Sequence, residues 1–144
     1  MIDINIIRTN KELVKTKITK EKRQVKKMYD VVEALIEIPK GSKNKYELDK
    51  ETGHIILDRI LHTSTHYPAN YGFIPRTYAD DDDPLDVLVL CSEQIEPMAL
   101  VRCYPIGVIS MMDGGHADDK IIAIPFGDPT YNEYKDISQL PKHI

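Results

Sequence analysis

The sequence predicts a single small domain that is mainly β, built as a barrel of short strands rather than as a parallel sheet. Two patterns favour this architecture. Apolar and polar residues alternate with a period of two in several short runs, and Gly, Pro or Asn residues separate these runs. The length of 144 residues is enough for one domain with a substantial core.

The first three strands are predicted close together, over residues 31–38, 45–49 and 54–61. The first ends at Pro39, because proline has no N–H to donate to a neighbouring strand. Residues 40–44 form the next turn. The turn before the third strand contains Gly53, which is suited to a positive φ.

Loops and strands alternate in the rest of the chain. We predict an aromatic loop over residues 67–73, an acidic loop over 80–86, a buried strand over 87–90, a long strand over 100–110, a second acidic loop over 113–120 and a short strand over 121–125. Gly107 predicts a bend or bulge inside the long strand. Residues 130–144 are typical of the start of a helical region.

Charge is distributed unevenly along the chain. Residues 1–28 contain nine Lys and Arg against three acidic residues, whereas the whole chain has a net charge of −4. We therefore divide the chain into a basic leader over residues 1–27, helical or disordered, and a barrel domain over residues 28–144. The leader has no secretory pattern, and its lack of aromatic residues is evidence against nucleic-acid binding. No run of eighteen apolar residues predicts a membrane span.

The two cysteines, Cys91 and Cys103, lie in apolar, strand-like surroundings. Such residues are most often buried, reduced thiols of a cytoplasmic protein. A disulfide or a metal-binding pair is the alternative interpretation. No Cys and His residues have the spacing of a zinc site, and the sequence has no glycine-rich phosphate loop.

Five carboxylates occur within residues 80–86, directly before an apolar run. One interpretation is a solvated acidic loop. The other is a Mg²⁺ site: Pro84 stiffens the loop between Asp83 and Asp86, and Mg²⁺ prefers oxygen ligands held on a stiff scaffold. Other ionisable residues also occur where predicted strands meet loops. The acids are Glu37, Glu47, Asp81, Asp83, Asp86, Asp113 and Asp118, and the bases are Lys45, Arg59 and Lys120.

Seven carboxylates cannot share a pocket unless cations neutralise them, and several divalent cations together with a polyanionic substrate would balance the charge. This favours two-metal hydrolysis of a phosphate compound. The motifs agree with this interpretation. The chain resembles the soluble family I inorganic pyrophosphatases through Asp81-Asp82-Asp83-Pro84-Leu85-Asp86-Val87, Tyr67-Pro68-Ala69-Asn70-Tyr71-Gly72, Ile36-Glu37-Ile38-Pro39, Lys45-Tyr46-Glu47-Leu48-Asp49, Asp58-Arg59, and Asp113 followed by Asp118 and Lys120.

The resemblance implies a five-stranded OB-like β-barrel with flanking helices, and an inorganic diphosphatase. Such an enzyme hydrolyses pyrophosphate to two orthophosphates with a water activated by several Mg²⁺ ions per site. We also expect a cytoplasmic homo-oligomer without nucleic-acid or membrane partners. The implied Mg²⁺ ligands are Asp81, Asp86, Asp113 and Asp118, with Asp86 shared between two ions that activate the water, and the implied proton acceptor is Asp83. The resemblance also implies phosphate contacts for Lys45, Arg59, Tyr71 and Lys120, and supporting roles for Glu37 and Glu47 as outer or additional metal-site carboxylates and for Tyr67 in the pocket wall.

Some of these assignments have simpler alternatives. Glu47 and Lys120 are also compatible with plain surface positions, and Tyr67 with a core position. Family members usually continue with a long helix that carries a Tyr-Lys pair, and we expect this helix to be missing, because Tyr134-Lys135 occurs too early to replace the pair. The alternative function is therefore a weakened or inactive pyrophosphatase-like domain that binds metal, phosphate or a partner.

Overall fold

The computed structural model describes residues 3–7, 31–62, 64–77 and 83–142, of which residues 3–7, Asp113 and His116 are described by their backbone alone. These residues form eight strands and one 3₁₀ helix. The strands are β1 (Asp3–Ile7), β2 (Val32–Ile38), β3 (Asn44–Leu48), β4 (Ile55–Ile60), β5 (Asn70–Ile74), β6 (Leu85–Val89), β7 (Leu100–Asp113) and β8 (His116–Pro125), and the 3₁₀ helix is η1 (Ile137–Gln139).

Five of the strands close into a ring. The main sheet has the order β1-β7-β2-β5-β6-β8, and an additional pairing between β8 and β7 closes it, so that β7, β2, β5, β6 and β8 surround the core and β1 lies outside the ring. The pairing of β6 with β8 is parallel, whereas the other pairings in the ring are antiparallel. The ring confirms the predicted five-stranded OB-like barrel.

Alternation along the strands fills the barrel. In β6, Leu85, Val87 and Val89 are buried while the residues between them are only partly buried. The three buried residues of β6 belong to one core cluster with Val32, Ala34, Ile36, Ile74, Cys103, Val108, Ile121 and Ala123. Because successive side chains of a strand point to opposite faces, Asp86 and Lys120, which neighbour Val87 and Ile121, lie on the outer face of the barrel.

The predicted aromatic loop over residues 67–73 is wrong in its second half, because residues 70–73 belong to β5, a central strand of the barrel. Gly72 looked like a loop residue, but it is required for strand packing. A Cβ atom at this position would lie 1.9 Å from the carbonyl oxygen of Leu35 in β2. The glycine therefore permits a close approach between two strand backbones.

Strands β3 and β4 form a separate two-stranded hairpin beside the barrel. Its turn contains Gly53 at φ 78°, as the sequence predicts. At its base, the hairpin is joined to the barrel by hydrogen bonds from Gly41 N–H to the Tyr67 carbonyl, 2.8 Å, and from Tyr67 N–H to the Ser42 carbonyl, 3.0 Å. The hairpin can therefore cover part of the outer barrel face.

Strands β7 and β8 form the longest pair. Their register shifts between Pro105 and Gly107, which confirms the predicted bulge. The predicted second acidic loop over residues 113–120 is wrong after its first residues. The turn occupies only Gly114 and Gly115, and β8 begins at His116, so Asp118 and Lys120 are strand residues.

The helical region predicted over residues 130–144 is not a helix within its described part. Residues up to 142 form turns and η1, and no α-helix occurs among the residues that the structure describes, so the expected flanking helices are not seen there. These turns cover the outer face of β7, where the Tyr104 hydroxyl donates a hydrogen bond to the Tyr134 carbonyl, 2.8 Å. No helix of the described chain is long and apolar enough to cross a membrane.

Residues 3–7 form a strand that pairs with residues 108–112 of β7, which differs from the helical or disordered leader predicted for them. The rest of the leader, residues 1–2 and 8–27, lies outside the described residues, as do residues 28–30, so the division of the chain near residue 27 stays a prediction. Both cysteines are free and buried, as expected. Burial raises the pKa of the Cys103 thiol to about 12, so it remains protonated.

Candidate active site

Three neighbouring barrel strands, β5, β6 and β8, bring four polar side chains together. The ammonium of Lys120 lies 3.0 Å from a carboxylate oxygen of Asp86 and 3.3 Å from one of Asp118. It also donates a hydrogen bond to the Tyr71 hydroxyl, 2.9 Å. One cation therefore holds two carboxylates and a phenol on the outer face of the barrel.

The strand register explains this arrangement. Asp86 pairs with Lys120 across the parallel β6–β8 ladder. It also pairs with Phe73 across the antiparallel β5–β6 ladder. Directly opposed residues of neighbouring strands point to the same face, so the alternation that buries Val87 also directs Asp86 toward Lys120.

Asp86 has an unusual electrostatic environment. Burial raises the pKa of its carboxyl group above the ordinary value, and the neighbouring Asp118 charge acts in the same direction. The Lys120 ammonium and a hydrogen bond from the Tyr71 hydroxyl lower the pKa but do not outweigh burial. A carboxylate that is costly to keep charged is well suited to gain a cation, because the cation offsets the cost of desolvation.

The Tyr71 hydroxyl donates a hydrogen bond to Asp86 in addition to the one that it accepts from Lys120. Burial, followed by the charge of Asp86, raises its pKa far above the ordinary value of 10. The hydroxyl therefore stays protonated at physiological pH. Its ring packs against that of Tyr67 with the two centroids 5.3 Å apart. The two tyrosines form an aromatic wall beside Asp86.

Glu37 lies on β2 at the edge of this site and is only 8% exposed. Its carboxylate accepts a hydrogen bond from the Leu48 N–H of the hairpin, 2.8 Å. Burial raises the pKa of Glu37, and the Leu48 hydrogen bond and the charge of Lys50 lower it. The charge of Asp86 also raises it, which places Glu37 within the electrostatic field of the Lys120 cluster.

The hairpin adds cationic groups. Lys45 on β3 pairs directly with Arg59 on β4. Like charges in opposed positions repel each other, so an anion placed between them would be favourable. The Asp58 carboxylate lies 3.4 Å from the Lys45 ammonium in an exposed ion pair. Burial raises the pKa of Tyr67, and the charge of Arg59 acts against this increase, which places Arg59 near the tyrosine wall.

The structure therefore brings together most of the predicted site residues that it describes. Tyr71, Asp86, Asp118 and Lys120 are in contact. Tyr67 packs against Tyr71, and Glu37 is close enough for the charge of Asp86 to affect it. Arg59 acts on Tyr67 through its charge, and Lys45 lies opposite Arg59 in the hairpin.

Glu47 is farther out. It is exposed on β3 opposite Ile56, although its charge also raises the pKa of Glu37. Asp83 is exposed just before β6.

The side chains of two predicted metal ligands, Asp81 and Asp113, lie outside the described part of the structure. Asp81 lies outside the described residues, and Asp113 ends β7 opposite His116 with its backbone alone described. Among the residues that are described with side chains, no group of three or more His, Cys, Asp or Glu could hold a metal ion. The donors that do meet, Asp86 and Asp118, offer only carboxylate oxygens, and this chemistry fits a hard cation such as Mg²⁺.

Sequence reasoning assigned no role to Lys50, whose ammonium lies 4.9 Å from the centroid of the Phe73 ring. No local signal could have indicated it, because the contact depends on how the hairpin folds over the barrel.

Thr77 also received no role, yet its buried hydroxyl accepts a hydrogen bond from Leu85 N–H, 2.8 Å, and donates one to the Ile74 carbonyl, 2.5 Å. These bonds join the ends of β5 and β6 beside the acidic loop.

Asn70 lies inside a recognised motif, but its role is clear only in the structure. It is fully buried, and its side-chain oxygen accepts hydrogen bonds from the N–H groups of Lys40 and Ile95, at 2.9 and 3.0 Å. Its amide nitrogen donates to the Glu93 carbonyl, 3.0 Å. Asn70 therefore fixes two connecting segments at the start of β5.

Comparison with known proteins agrees with this geometry. The family model described as inorganic pyrophosphatase matches residues 34–144. The chain belongs to the inorganic pyrophosphatase family. It is 57% identical over 112 residues to soluble inorganic pyrophosphatase 2 of Chlamydomonas reinhardtii, a match that covers 78% of this chain and 58% of the relative. It is 53% identical over 113 residues to a soluble inorganic pyrophosphatase of Oryza sativa subsp. japonica, with 78% and 53% covered.

Solved structures of inorganic pyrophosphatases share the fold. The Thermus thermophilus protein superposes with a TM-score of 0.78 at 41% identity, covering 81% of this chain and 67% of that one. The Helicobacter pylori protein gives a TM-score of 0.77 at 44% identity, covering 80% and 69%. The chain spans about half the length of the curated pyrophosphatases that it matches.

Proposed function

We propose that the protein is an inorganic diphosphatase that hydrolyses pyrophosphate to two orthophosphates with Mg²⁺. The observation that supports this proposal best is the contact of Lys120 with Asp86, Asp118 and Tyr71 on three adjacent strands. Membership of the pyrophosphatase family and the cationic pair Lys45 and Arg59 give independent support. A site that combines clustered acids with bases is suited to a polyanion that arrives with divalent cations.

Asp81, Asp86, Asp113 and Asp118 are the residues that we propose as Mg²⁺ ligands, with several ions per site and Asp86 shared between two of them. When bound, the ions would supply Lewis-acid stabilisation of phosphate charge and a lowered pKa for the attacking water. Asp86 suits the shared position because it is partly buried and already faces two cationic or hydrogen-bonding groups.

The other side chains have proposed roles in binding and proton transfer. Lys45 and Arg59 contact the phosphate groups from the hairpin side, since a guanidinium can bind two phosphate oxygens at once. Tyr71 and Lys120 contact phosphate from the barrel side as donors. Asp83 accepts the proton from the attacking water.

Three more side chains support the site. Tyr67 forms its aromatic wall, and Glu37 and Glu47 add supporting carboxylates at the edge of the hairpin. Burial raises the pKa of Glu37, and the charges of Asp86 and Glu47 act in the same direction, so Glu37 lies near both of these carboxylates.

A phosphate-release assay with pyrophosphate and Mg²⁺ tests the proposal. We expect turnover by the wild-type chain that requires Mg²⁺ and falls by about 100-fold or more in Asp83→Ala, because general-base groups typically contribute that much. Equal turnover in the wild type and in Asp83→Ala would refute the hydrolytic role. Binding of pyrophosphate and Mg²⁺ in calorimetry without turnover would support the alternative, a binding domain of the pyrophosphatase type.

We also propose a cytoplasmic location and a homo-oligomer. The two free, buried thiols are compatible with a reducing compartment. The hairpin exposes Ile56, Leu57 and Ile60 at 48%, 49% and 65%, and an apolar surface of this kind is common where copies of a chain associate. Light scattering that gives a monomer mass at working concentration would contradict the oligomer.

A further inference from the structure

The hairpin that contains Lys45 and Arg59 is not part of the barrel sheet, so its position over the site depends on other contacts. The backbone hydrogen bonds of Gly41, Ser42 and Tyr67 fix only its base, where the chain enters and leaves. Two side-chain contacts lie at the opposite end, where β3 runs into the Gly53 turn. Those two contacts involve Glu37 and Lys50.

Glu37 joins the hairpin to β2. Its carboxylate, 8% exposed, accepts the hydrogen bond of Leu48 N–H at 2.8 Å, and Leu48 is the last residue of β3. A hydrogen bond to a buried carboxylate is shorter and stronger than one between neutral groups. The backbone of the hairpin is thereby held at a defined distance from the barrel.

Lys50 joins the hairpin to β5. Its ammonium lies 4.9 Å from the centroid of the Phe73 ring, which is 6% exposed. Phe73 pairs in register with Asp86. The contact therefore attaches the hairpin turn to the strand pair that contains the central carboxylate of the site. Cations in this position over an aromatic face are attracted by the ring quadrupole.

We propose that Glu37 and Lys50 form a clamp that fixes the hairpin cations Lys45 and Arg59 relative to Asp86. Both clamp residues are positioning residues, which act through the hairpin rather than by contact with substrate. The inference rests on the proposed function in one respect, that Lys45 and Arg59 contact phosphate. It also gives Glu37 a role different from the metal-site carboxylate that the family resemblance implies.

Four variants separate these roles. Glu37→Gln keeps an oxygen that can accept the Leu48 hydrogen bond but removes the charge, whereas Glu37→Met removes both. Lys50→Arg keeps a cation over Phe73, whereas Lys50→Met does not. Lys135→Met is the matched control, because the Lys135 ammonium lies over the Tyr104 ring, 4.5 Å from its centroid, next to the C-terminal turns rather than the hairpin.

We expect the KM for pyrophosphate to rise about tenfold or more in Glu37→Met and about two- to fivefold in Lys50→Met, with a smaller change in kcat. Glu37→Gln and Lys50→Arg should recover most of this loss. The Mg²⁺ concentration for half-maximal activity should stay unchanged, and so should the KM of Lys135→Met. If Glu37→Gln loses as much as Glu37→Met and requires more Mg²⁺, Glu37 is a metal-site carboxylate and the inference is overturned.

Amide hydrogen exchange of Leu48, followed by NMR without substrate, tests the clamp independently of turnover. We expect faster exchange in Glu37→Met and in Lys50→Met, near wild-type exchange in Glu37→Gln, and no change in Lys135→Met. Equal exchange in the wild type and Glu37→Met would refute the clamp. A wild-type chain that releases no phosphate would refute the proposed function instead, and the exchange rates would then decide the clamp by themselves.

Discussion

Replacement of Gly72 by alanine is the most direct test of how the barrel is built. The Cβ atom of alanine would lie 1.9 Å from the Leu35 oxygen, 2.8 Å from its carbonyl carbon and 2.9 Å from the Ile36 Cα atom. All three are backbone atoms, so no side chain can rotate away. Strands β2 and β5 must separate, and their hydrogen bonds around Gly72 must lengthen or break.

Overpacking of a core by one methyl group typically costs about 1–3 kcal/mol, and a clash with backbone belongs at the upper end. We therefore expect the free energy of unfolding to fall by about 3 kcal/mol or more in Gly72→Ala. With a urea m-value of about 1–3 kcal/mol per M, the unfolding midpoint should fall by about 1–3 M. Equilibrium urea unfolding monitored by circular dichroism measures both quantities.

Gly127→Ala is the matched control, because a Cβ at Gly127 meets no atom within 4 Å. The same chemical change should leave stability almost unchanged there, or raise it slightly by reducing the freedom of the unfolded chain. If Gly72→Ala unfolds at the same urea concentration as Gly127→Ala, the close approach of β2 and β5 is wrong. Because Tyr71 is next to Gly72 in β5, a displacement of β5 would also move Tyr71, so we expect activity to fall together with stability.

Three further predictions concern the site and its support. Asp86→Asn should lower kcat for pyrophosphate more than Glu47→Gln does, because a carboxylate shared by two ions affects both, and equal losses would contradict the shared position. Asn70→Ala should lower the free energy of unfolding by about 2 kcal/mol or more in urea, since it leaves the buried N–H groups of Lys40 and Ile95 without their acceptor, whereas the exposed Asn132→Ala should have little effect. Burial raises the pKa of Glu37 above 4.5, so the unfolded chain releases this proton at lower pH and stability falls as pH rises from 4.5 through the folded-state pKa. Glu37→Gln should lack this decrease, and parallel profiles of unfolding free energy against pH in the two proteins would contradict the assigned burial.

Strands with clear alternation could be predicted from sequence. The predicted spans 31–38, 45–49 and 54–61 differ from β2, β3 and β4 by one residue at each altered end. Strand β5 was missed because Pro68 and Gly72 are typical of loops, and only the close packing against β2 explains the glycine. The start of β8 was missed because Asp118, Asp119 and Lys120 form a polar run, although Asp118 and Lys120 lie on the outer barrel face and contact each other.

The chemistry of the candidate site could also be predicted in part. The acids and bases were identified by type and by motif, since hydrolysis of a polyanion requires both. Their mutual contacts could not be predicted, because Lys120 meets Asp86 only through a ladder between strands that are far apart in sequence. The Lys50 contact was unpredictable for a similar reason, as it joins the hairpin to β5 after both have folded.

The parallel pairing of β6 with β8 also determines when the site can assemble. A chain that has formed only β2, β5 and β6 would present Tyr71 and Asp86 as a simple antiparallel meander, without the ammonium that comes from 34 positions later. The chain must first extend along β7 on the far side of the ring and return before Lys120 arrives. Contacts of such sequence separation are entropically costly and tend to form late, so the carboxylate cluster is completed only at the closure of the barrel.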